Sequence, residues 1–245
     1  MKTYGLIGFR LSHSFSKKYF TEKFQREGIT DCAYENFQLD NIQEFSALLH
    51  TDPNLKGFNI TIPYKEEIIP LLSDLDPAAK EIGAVNVIKI LENGKLIGFN
   101  SDYYGFKNSL ESFIPKDVFH KALVLGTGGA AKAVVTALKH MGIPYMYVSR
   151  NKNPYNLSYE ELNEEKMNEY TIIINTSPLG MYPDIDSFPA IPYEFLSSKH
   201  YLYDLVYNPE ETVFMKKGAE RGAHVINGLP MLIGQAEKAW EIWNS

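Results

Sequence analysis

The chain contains one cysteine, Cys32, among 245 residues. An internal disulfide is therefore excluded, and so is a zinc site built on cysteine ligands. Its six histidines are scattered, with no pair at the i, i+4 spacing that puts two ligands on one helix face, and no metal is expected. No apolar run approaches the ~18 residues that a bilayer span requires, so no membrane association is expected. The opening segment, Met1-Lys-Thr-Tyr-Gly-Leu-Ile-Gly8, reaches glycine after two apolar residues and lacks the apolar core of a secretory signal. An excess of positive charge is also missing. A net charge of −6 and a pI near 5.6 argue against nucleic acid as a partner, although a local basic pocket on an acidic protein still accepts an anion. A cytoplasmic, metal-free protein is the expectation.

What is present is ordinary for a globular protein: 44% hydrophobic and 22% charged residues, in a length that allows one large domain or two modest ones. Strand and helix patterns alternate from end to end, without internal repeats. Strands are expected over 3–7, 34–39 and 57–62, with a helix over 16–27 closed by Gly28. A second helix is expected after Asp40, with Ile42, Phe45, Leu48 and Leu49 on one face. Residues 85–91 and 95–99 flank Asn93-Gly94, which signals a type I′ hairpin. A hairpin within an alternating pattern implies a mixed sheet.

After Asp102 the pattern becomes regularly alternating. Strands are expected at 121–125, 145–149, 170–175, 201–205 and 224–226. Helices are expected at 103–113, from the glycine-rich turn to 141, after the Ser158/Glu161 capping box, at 210–221 and at 229–243. The fold class is α/β in two halves, with the first boundary near Asp102.

Strand 121–125 runs into Gly126-Thr127-Gly128-Gly129-Ala130-Ala131. Gly126, Gly128 and Ala131 match G-x-G-x-x-A in the strand-turn-helix setting where backbone N–H groups and the helix N-terminus meet a phosphate. The alternative is a tight turn of any doubly wound fold. A NAD site usually places an acid about 20 residues on, at the end of the next strand. Here that strand ends in Ser149-Arg150-Asn151-Lys152. Arg150 and Lys152 suit a 2′-phosphate, which points to NADP. Two solvated surface cations are the plain alternative.

Three polar clusters occupy the first half. Ser12-His-Ser-Phe-Ser16 lies between the first strand and first helix. Asn59-Ile-Thr-Ile-Pro-Tyr-Lys65 closes the third strand, alternation placing Asn59 and Thr61 on one face and Pro63 stopping the strand before Lys65. Asn86, and Asn100-Ser-Asp102, stand at the ends of the hairpin strands. Taken singly, these are helix caps, a loop cation and turn residues.

Together they carry a resemblance. Ser12–Ser16, Asn59–Lys65, Gly83-Ala-Val-Asn86, Gly98-Phe-Asn-Ser-Asp102, Gly126–Ala130, Asn175-Thr-Ser-Pro-Leu-Gly-Met181, Asp204-Leu-Val-Tyr-Asn-Pro209 and Gly228-Leu-Pro-Met-Leu-Ile-Gly-Gln235 occur in the order found in the shikimate/quinate dehydrogenase family. Along nearly its whole length the chain resembles the shikimate dehydrogenases of that family. The resemblance implies a mixed-sheet N-terminal substrate domain, a Rossmann-like NADP-binding domain and a cleft between them. The substrate and catalytic domain would span 1–102, the NADP domain 103–228, and the helix from about 229 to 245 would pack back on the first. The implied reaction is NADPH-dependent reduction of 3-dehydroshikimate to shikimate in aromatic amino acid biosynthesis.

The same resemblance implies the site. Lys65 and Asp102 would be the catalytic pair, and Ser14 and Ser16 would hold the substrate carboxylate. Thr61, Asn86, Asp102, Tyr207 and Gln235 would meet its hydroxyls and ring. Gly126, Thr127, Gly128, Gly129 and Ala130 would cradle the pyrophosphate, and Ser149, Arg150, Asn151 and Lys152 the adenosine phosphate. Thr176, Leu205 and Gly228 would lie toward the nicotinamide. A small molecule is then the expected partner, with the protein a monomer or homodimer.

Departures from the commonest family pattern are Phe9-Arg10-Leu11, Lys17, Ser101, Ser149-Arg150-Asn151 and a short stretch over 151–169, which implies a trimmed helix. A quinate/shikimate dehydrogenase using NAD or NADP is the nearest rival, and a noncatalytic dinucleotide-binding sensor a rival of another class.

Overall fold

A computed structural model describes residues 1–9, 11, 15–151 and 153–245. They form two compact units, Met1–Ser101 with Gln235–Ser245, and Asp102–Gly234. The first holds strands β1 (Lys2–Gly8), β2 (Cys32–Gln38), β3 (Leu55–Ile60), β4 (Asp74–Leu75), β5 (Val87–Ile90) and β6 (Leu96–Phe99), and helices α1 (Phe15–Glu27), α2 (Phe45–Leu48), α3 (Tyr64–Glu67) and α4 (Pro77–Ile82). The strand order is β2-β1-β3-β5-β6-β4. β1 is parallel to β2 and β3, whereas β5 is antiparallel to β3 and β6, so the sheet is mixed. β1 is buried from Tyr4 to Gly8, the continuous apolar pattern of a strand covered on both faces. One face packs on Ile7, Phe45, Phe58, Tyr64, Ile68 and Ile88.

Several local expectations are corrected here. Asn93 does not take up the left-handed conformation that a type I′ turn needs, since no described residue other than glycine has positive φ. Instead Gly94, at φ +78°, donates to the Leu91 carbonyl at 2.9 Å while Leu91 donates to Lys95 at 2.9 Å. The single left-handed glycine after a turn supplies the twist, at one more residue of loop. The helix expected after Asp40 is broken into a 3₁₀ turn, Ile42–Glu44, and the one-turn α2. Glu44 reaches back to the Asp40 N–H at 3.3 Å and the Asn41 amide at 2.8 Å, so a carboxylate rather than an Asp40 cap braces the start. The third strand ends at Ile60, and Lys65 stands in a helical turn rather than a loop. α4 was not evident from periodicity. It is built from capping chemistry: Asp76 accepts from the Ala78 N–H at 3.0 Å, Pro77 starts the helix, and Gly83 closes it at φ +71°.

The second unit contains β7 (Ala122–Leu125), β8 (Tyr145–Val148), β9 (Asn156–Leu157), β10 (Ile172–Asn175), β11 (Tyr201–Asp204) and β12 (His224–Ile226), with α5 (Ser101–Phe113), α6 (Gly129–His140), α7 (Glu164–Glu169) and α8 (Val213–Ala219). Every pairing is parallel, in the order β12-β11-β10-β7-β8-β9. This is the doubly wound order, whose direction reverses between β7 and β10. Such a fold offers its ligand site at the carboxyl ends of the strands flanking that reversal. Between β8 and β10 the chain forms only β9, a 3₁₀ turn and the short α7. α8 starts three residues later than expected, because Thr212 caps it by accepting from Met215 N–H at 3.3 Å.

The last helix, α9 (Leu229–Asn244), contributes to both units. Its start stays with the second, where a Cβ on Gly234 would stand 3.2 Å from the Gly105 Cα. From Gln235 onward it belongs to the first. There Trp243 stacks on Tyr4 with ring centres 4.7 Å apart and donates its indole N–H to the Ile88 carbonyl at 3.0 Å. Gly57 is obligatory beneath it, because a Cβ would come within 2.3 Å of the indole nitrogen. Trp240 meets Tyr4 and Phe24. At the other edge Lys23 pairs with Glu237 at 2.8 Å and Glu27 at 2.9 Å, and the Tyr19 hydroxyl donates to Glu237. Burial pulls the Lys23 pKa down, yet its two carboxylate partners hold it above the ordinary lysine value.

Removing the indole leaves a cavity at the sheet and takes one donor from the Ile88 carbonyl. Trp243→Ala is expected to cost about 3–5 kcal/mol, read as a lowered midpoint in urea unfolding; an unchanged midpoint would contradict this anchoring role.

Candidate functional site

In the first unit the polar residues that sequence singled out converge on Asn86. Its side chain is 4% exposed. Oδ1 accepts from the Ser101 N–H at 2.6 Å, while Nδ2 donates to Ser101 Oγ at 3.1 Å and to Gln235 Oε1 at 3.5 Å. Its backbone carbonyl accepts from Ile60 N–H at 2.9 Å and from the Asn59 amide at 3.3 Å. One residue thus ties the end of β3, the start of α5 and the Gln235 turn of α9. Lys65 lies near the same strand end. Its carbonyl accepts from Val85 N–H at 2.8 Å, and its neighbour Tyr64 is buried with its hydroxyl on the Leu39 carbonyl at 2.8 Å. The half-buried lysine is therefore carried on a fixed backbone. Thr61 follows β3, its N–H bonded to the Ile7 carbonyl at 2.9 Å, and its methyl stands 2.6 Å from where a Cβ on Gly8 would be.

Ser16 is brought into the same set. Its hydroxyl hydrogen-bonds the Tyr34 phenol, which donates to Asn59 Oδ1 at 2.7 Å. Burial pushes the Tyr34 phenol far up in pKa, so it acts only as a neutral bridge. Tyr34 and Asn59 are contributors that sequence reading did not assign to the site; their polar ends within apolar strands were the available signal. Ser14 lies outside the described residues.

In the second unit, Asp102 occupies the first turn of α5, 8% exposed, where the helix dipole favours a carboxylate. Ser101, immediately before it, is the residue that Asn86 holds. Tyr207, after β11, is 40% exposed.

The glycine turn follows β7. Gly126 adopts φ +112°, and its N–H bonds the Val148 carbonyl at 2.9 Å. Thr127 through Ala130 are exposed. α6 begins at Gly129 with no side-chain cap and no acid in its first turn. Among the described residues, nothing outside the local chain lies within 4 Å of a Cβ built on Gly128 or Gly129. Free N–H groups and open space at a helix start suit a phosphate. After β8, Ser149 N–H bonds the Leu157 carbonyl at 2.9 Å and Ser149 Oγ accepts from Asn151 N–H at 3.2 Å. Asn156 closes the loop onto the Asn151 carbonyl at 2.9 Å. Arg150 is exposed. Lys152 lies outside the described residues.

A third group that the sequence singled out sits on the β10 and β11 ends. Thr176 Oγ donates to the Leu125 carbonyl at 2.8 Å, Leu205 N–H to the Asn175 carbonyl at 3.0 Å, and Gly228 N–H to the Val206 carbonyl at 3.0 Å. A Cβ on Gly228 would stand 2.1 Å from the Leu205 carbonyl oxygen, so only glycine fits. Beneath them lies a polar network centred on the buried Asn175 and Asp204, which sequence reading did not assign. Asp204 accepts from the Asn175 amide at 2.9 Å, Val206 N–H at 3.0 Å and Thr212 hydroxyl at 2.6 Å. Asn175 Oδ1 in turn accepts from the Ser177 hydroxyl at 2.6 Å.

The mixed sheet, the doubly wound sheet and these two polar arrays define a two-unit α/β protein with a dinucleotide-type strand order. Residues 6–88 match the model of the shikimate dehydrogenase substrate binding domain. The chain is 42% identical to the shikimate dehydrogenase (NADP(+)) of Clostridium beijerinckii, over 99% of this chain and 92% of that protein. Among solved structures it resembles shikimate dehydrogenase from Aquifex aeolicus, with TM-score 0.86 and 36% identity over 99% of this chain and 92% of that one. It also resembles shikimate 5-dehydrogenase from Thermus thermophilus in complex with NADP(H) and shikimate, with TM-score 0.85 and 30% identity over 99% and 93% of the two chains. The chain belongs to the shikimate dehydrogenase family. Among the described residues no group of histidine, cysteine or carboxylate side chains suits a metal ion, and no helix is long and apolar enough to cross a membrane.

Burial raises the Asp204 carboxyl from 3.8 to about 6, against the opposing pull of its three hydrogen bonds. The unfolded chain releases this proton at lower pH than the folded one does. The group's contribution to stability is therefore fully present below about pH 4, declines as pH rises through about 6, and is a cost above that of about 3 kcal/mol. Asp204→Asn, which removes the ionisation, should gain stability relative to the unmodified protein on going from pH 4 to pH 7.5. Paired urea unfolding curves at the two pH values check this, and a pH-independent difference would refute it.

Proposed function

We propose that the chain is an NADP-dependent oxidoreductase that interconverts 3-dehydroshikimate and shikimate, a step of aromatic amino acid biosynthesis, in the cytoplasm. The observation that carries the reading is the connected array around Asn86, which holds Ser101 and Gln235 in place and lies alongside the anchored backbone of Lys65. Membership of the family supports the chemistry assigned to that array.

In this reading the first unit is the substrate domain and the second the NADP domain. Ser16, with Ser14, receives the substrate carboxylate. Thr61, Asn86, Asp102, Tyr207 and Gln235 meet its hydroxyls and ring. The open space over Gly128 and Gly129 and the uncapped start of α6 fit a pyrophosphate on Gly126 to Ala130. Ser149, Arg150, Asn151 and Lys152 take the adenosine 2′-phosphate, and no acid at the end of β8 opposes it. Thr176, Leu205 and Gly228 face the nicotinamide. The bound dinucleotide supplies a hydride to the carbonyl carbon, leaving this chain to orient the ring and manage one proton.

As the carbonyl oxygen gains negative charge, the Lys65 ammonium stabilises it and donates the proton; in the oxidation direction neutral Lys65 accepts it. Asp102 favours the charged lysine wherever the two approach, and as a hydrogen-bond acceptor it also orients a substrate hydroxyl. Retention of both groups fits an enzyme better than a binding-only sensor, which has no use for a proton donor.

Shikimate-dependent reduction of NADP⁺ is the direct test, with quinate and NAD⁺ as comparison substrates; absence of turnover on all of them would overturn the reading. Lys65→Ala should lower kcat on the order of 10²–10⁴-fold while leaving shikimate affinity nearly unchanged, and near-normal turnover would remove Lys65 from the mechanism. Arg150→Ala should raise the KM for NADPH and leave NADH use almost intact; equal losses with both would show that Arg150 does not read the phosphate.

A further inference from the structure

We propose that Asp204 is a fixed negative charge beneath the nicotinamide-facing loops that makes this protein bind the oxidised dinucleotide, whose nicotinamide ring is cationic, more tightly than the reduced one, whose ring is neutral. The inference rests on the reading above that Thr176, Leu205 and Gly228 face the nicotinamide, and it extends that reading to a residue outside the contact set. Asp204 ends β11 and directly precedes Leu205. Its partner Asn175 ends β10 and directly precedes Thr176. A third bond reaches Val206 N–H at 3.0 Å, and the Val206 carbonyl in turn holds Gly228 N–H at 3.0 Å. Thr176 and Leu205 are therefore each one residue removed from the amide or the carboxylate, and Gly228 is two hydrogen bonds from the carboxylate through Val206.

The carboxylate is 0% exposed, and the groups it accepts from are an amide side chain, a hydroxyl and a backbone N–H. It joins no ion pair among the described residues. Neutral donors stabilise the charge locally without cancelling its field. Tyr193 feels that field: after burial, the largest cause of its raised phenol pKa is the Asp204 charge. A buried, uncompensated anion is costly to maintain, and one set at the base of a charge-changing site has a use for that cost. On hydride transfer the carbonyl carbon gains H⁻, the oxygen gains a proton, and the nicotinamide ring goes from neutral to +1. A fixed charge whose dipolar partners are already oriented favours the +1 state without further reorganisation.

The test is equilibrium binding rather than turnover. Dissociation constants for NADP⁺, NADPH and adenosine 2′,5′-bisphosphate are measured by calorimetry at pH 8 for the unmodified protein and for Asp204→Asn, which retains an acceptor and a polar head of the same shape. The ratio Kd(NADP⁺)/Kd(NADPH) should rise about three- to tenfold in the variant, with the bisphosphate, which has no nicotinamide, unchanged. Should the asparagine variant not fold, Asp204→Ser carries the same expectation. All three ligands binding with an unchanged ratio would overturn the electrostatic role while leaving the proposed function standing. Failure of both dinucleotides to bind the unmodified protein would overturn the functional reading, and this inference with it. Equal weakening of all three ligands would mark Asp204 as purely structural and overturn the inference.

Discussion

The side-chain amide of Asn86 is the constraint on which the first unit's polar array depends. A buried amide left unpaired is expensive, and here both of its ends are committed: the oxygen to Ser101 N–H, the nitrogen to Ser101 Oγ and Gln235. Three segments far apart in the chain must come to the same point to satisfy it. The positions of Asp102, next to Ser101, and of Gln235 are therefore consequences of one residue's hydrogen-bonding needs. Lys65 is held through its backbone, its carbonyl accepting from the Val85 N–H.

The second unit solves its positioning problem differently at each end of its candidate site. At the glycine turn space is left open: among the described residues nothing outside the local chain would meet a Cβ on Gly128 or Gly129, and α6 has no side-chain cap. At the β10 and β11 ends everything is filled, and Gly228 is pressed against the Leu205 carbonyl over a buried polar network. Openness suits a flexible diphosphate, whereas close fixing suits a planar ring that must present one face.

The alternation of strand and helix was readable because most elements are long enough to show a period. Exceptions have physical reasons. β9 and β4 contain two residues each, too few for any periodicity, and α3 is a single turn. The hairpin turn at Asn93-Gly94 was placed correctly but assigned the wrong geometry, since local composition does not settle how many residues close the loop. Lys65, Asn86 and Asp102 were visible as polar residues at strand ends, and only the resemblance carried by the ordered motifs around them made them candidate site residues. Tyr34 and Asp204 were not assigned, because each gains its meaning from partners that the sequence sets apart: Asn59 for the phenol, Asn175 and Thr212 for the carboxylate.

The discontinuity of the first unit bears on how the protein is made. Its sheet strands emerge from the ribosome first, yet the helix segment that covers Tyr4, Phe20 and Gly57 is Gln235–Ser245, separated from them by the whole second unit. Until residue 245 has been translated, an aromatic face waits uncovered, and Lys23 lacks its Glu237 partner. The second unit, by contrast, is one continuous segment, Asp102–Gly234. Vectorial synthesis thus leaves the first unit, whose strands are made early, exposing its aromatic face until the end of α9 follows the whole of the second unit.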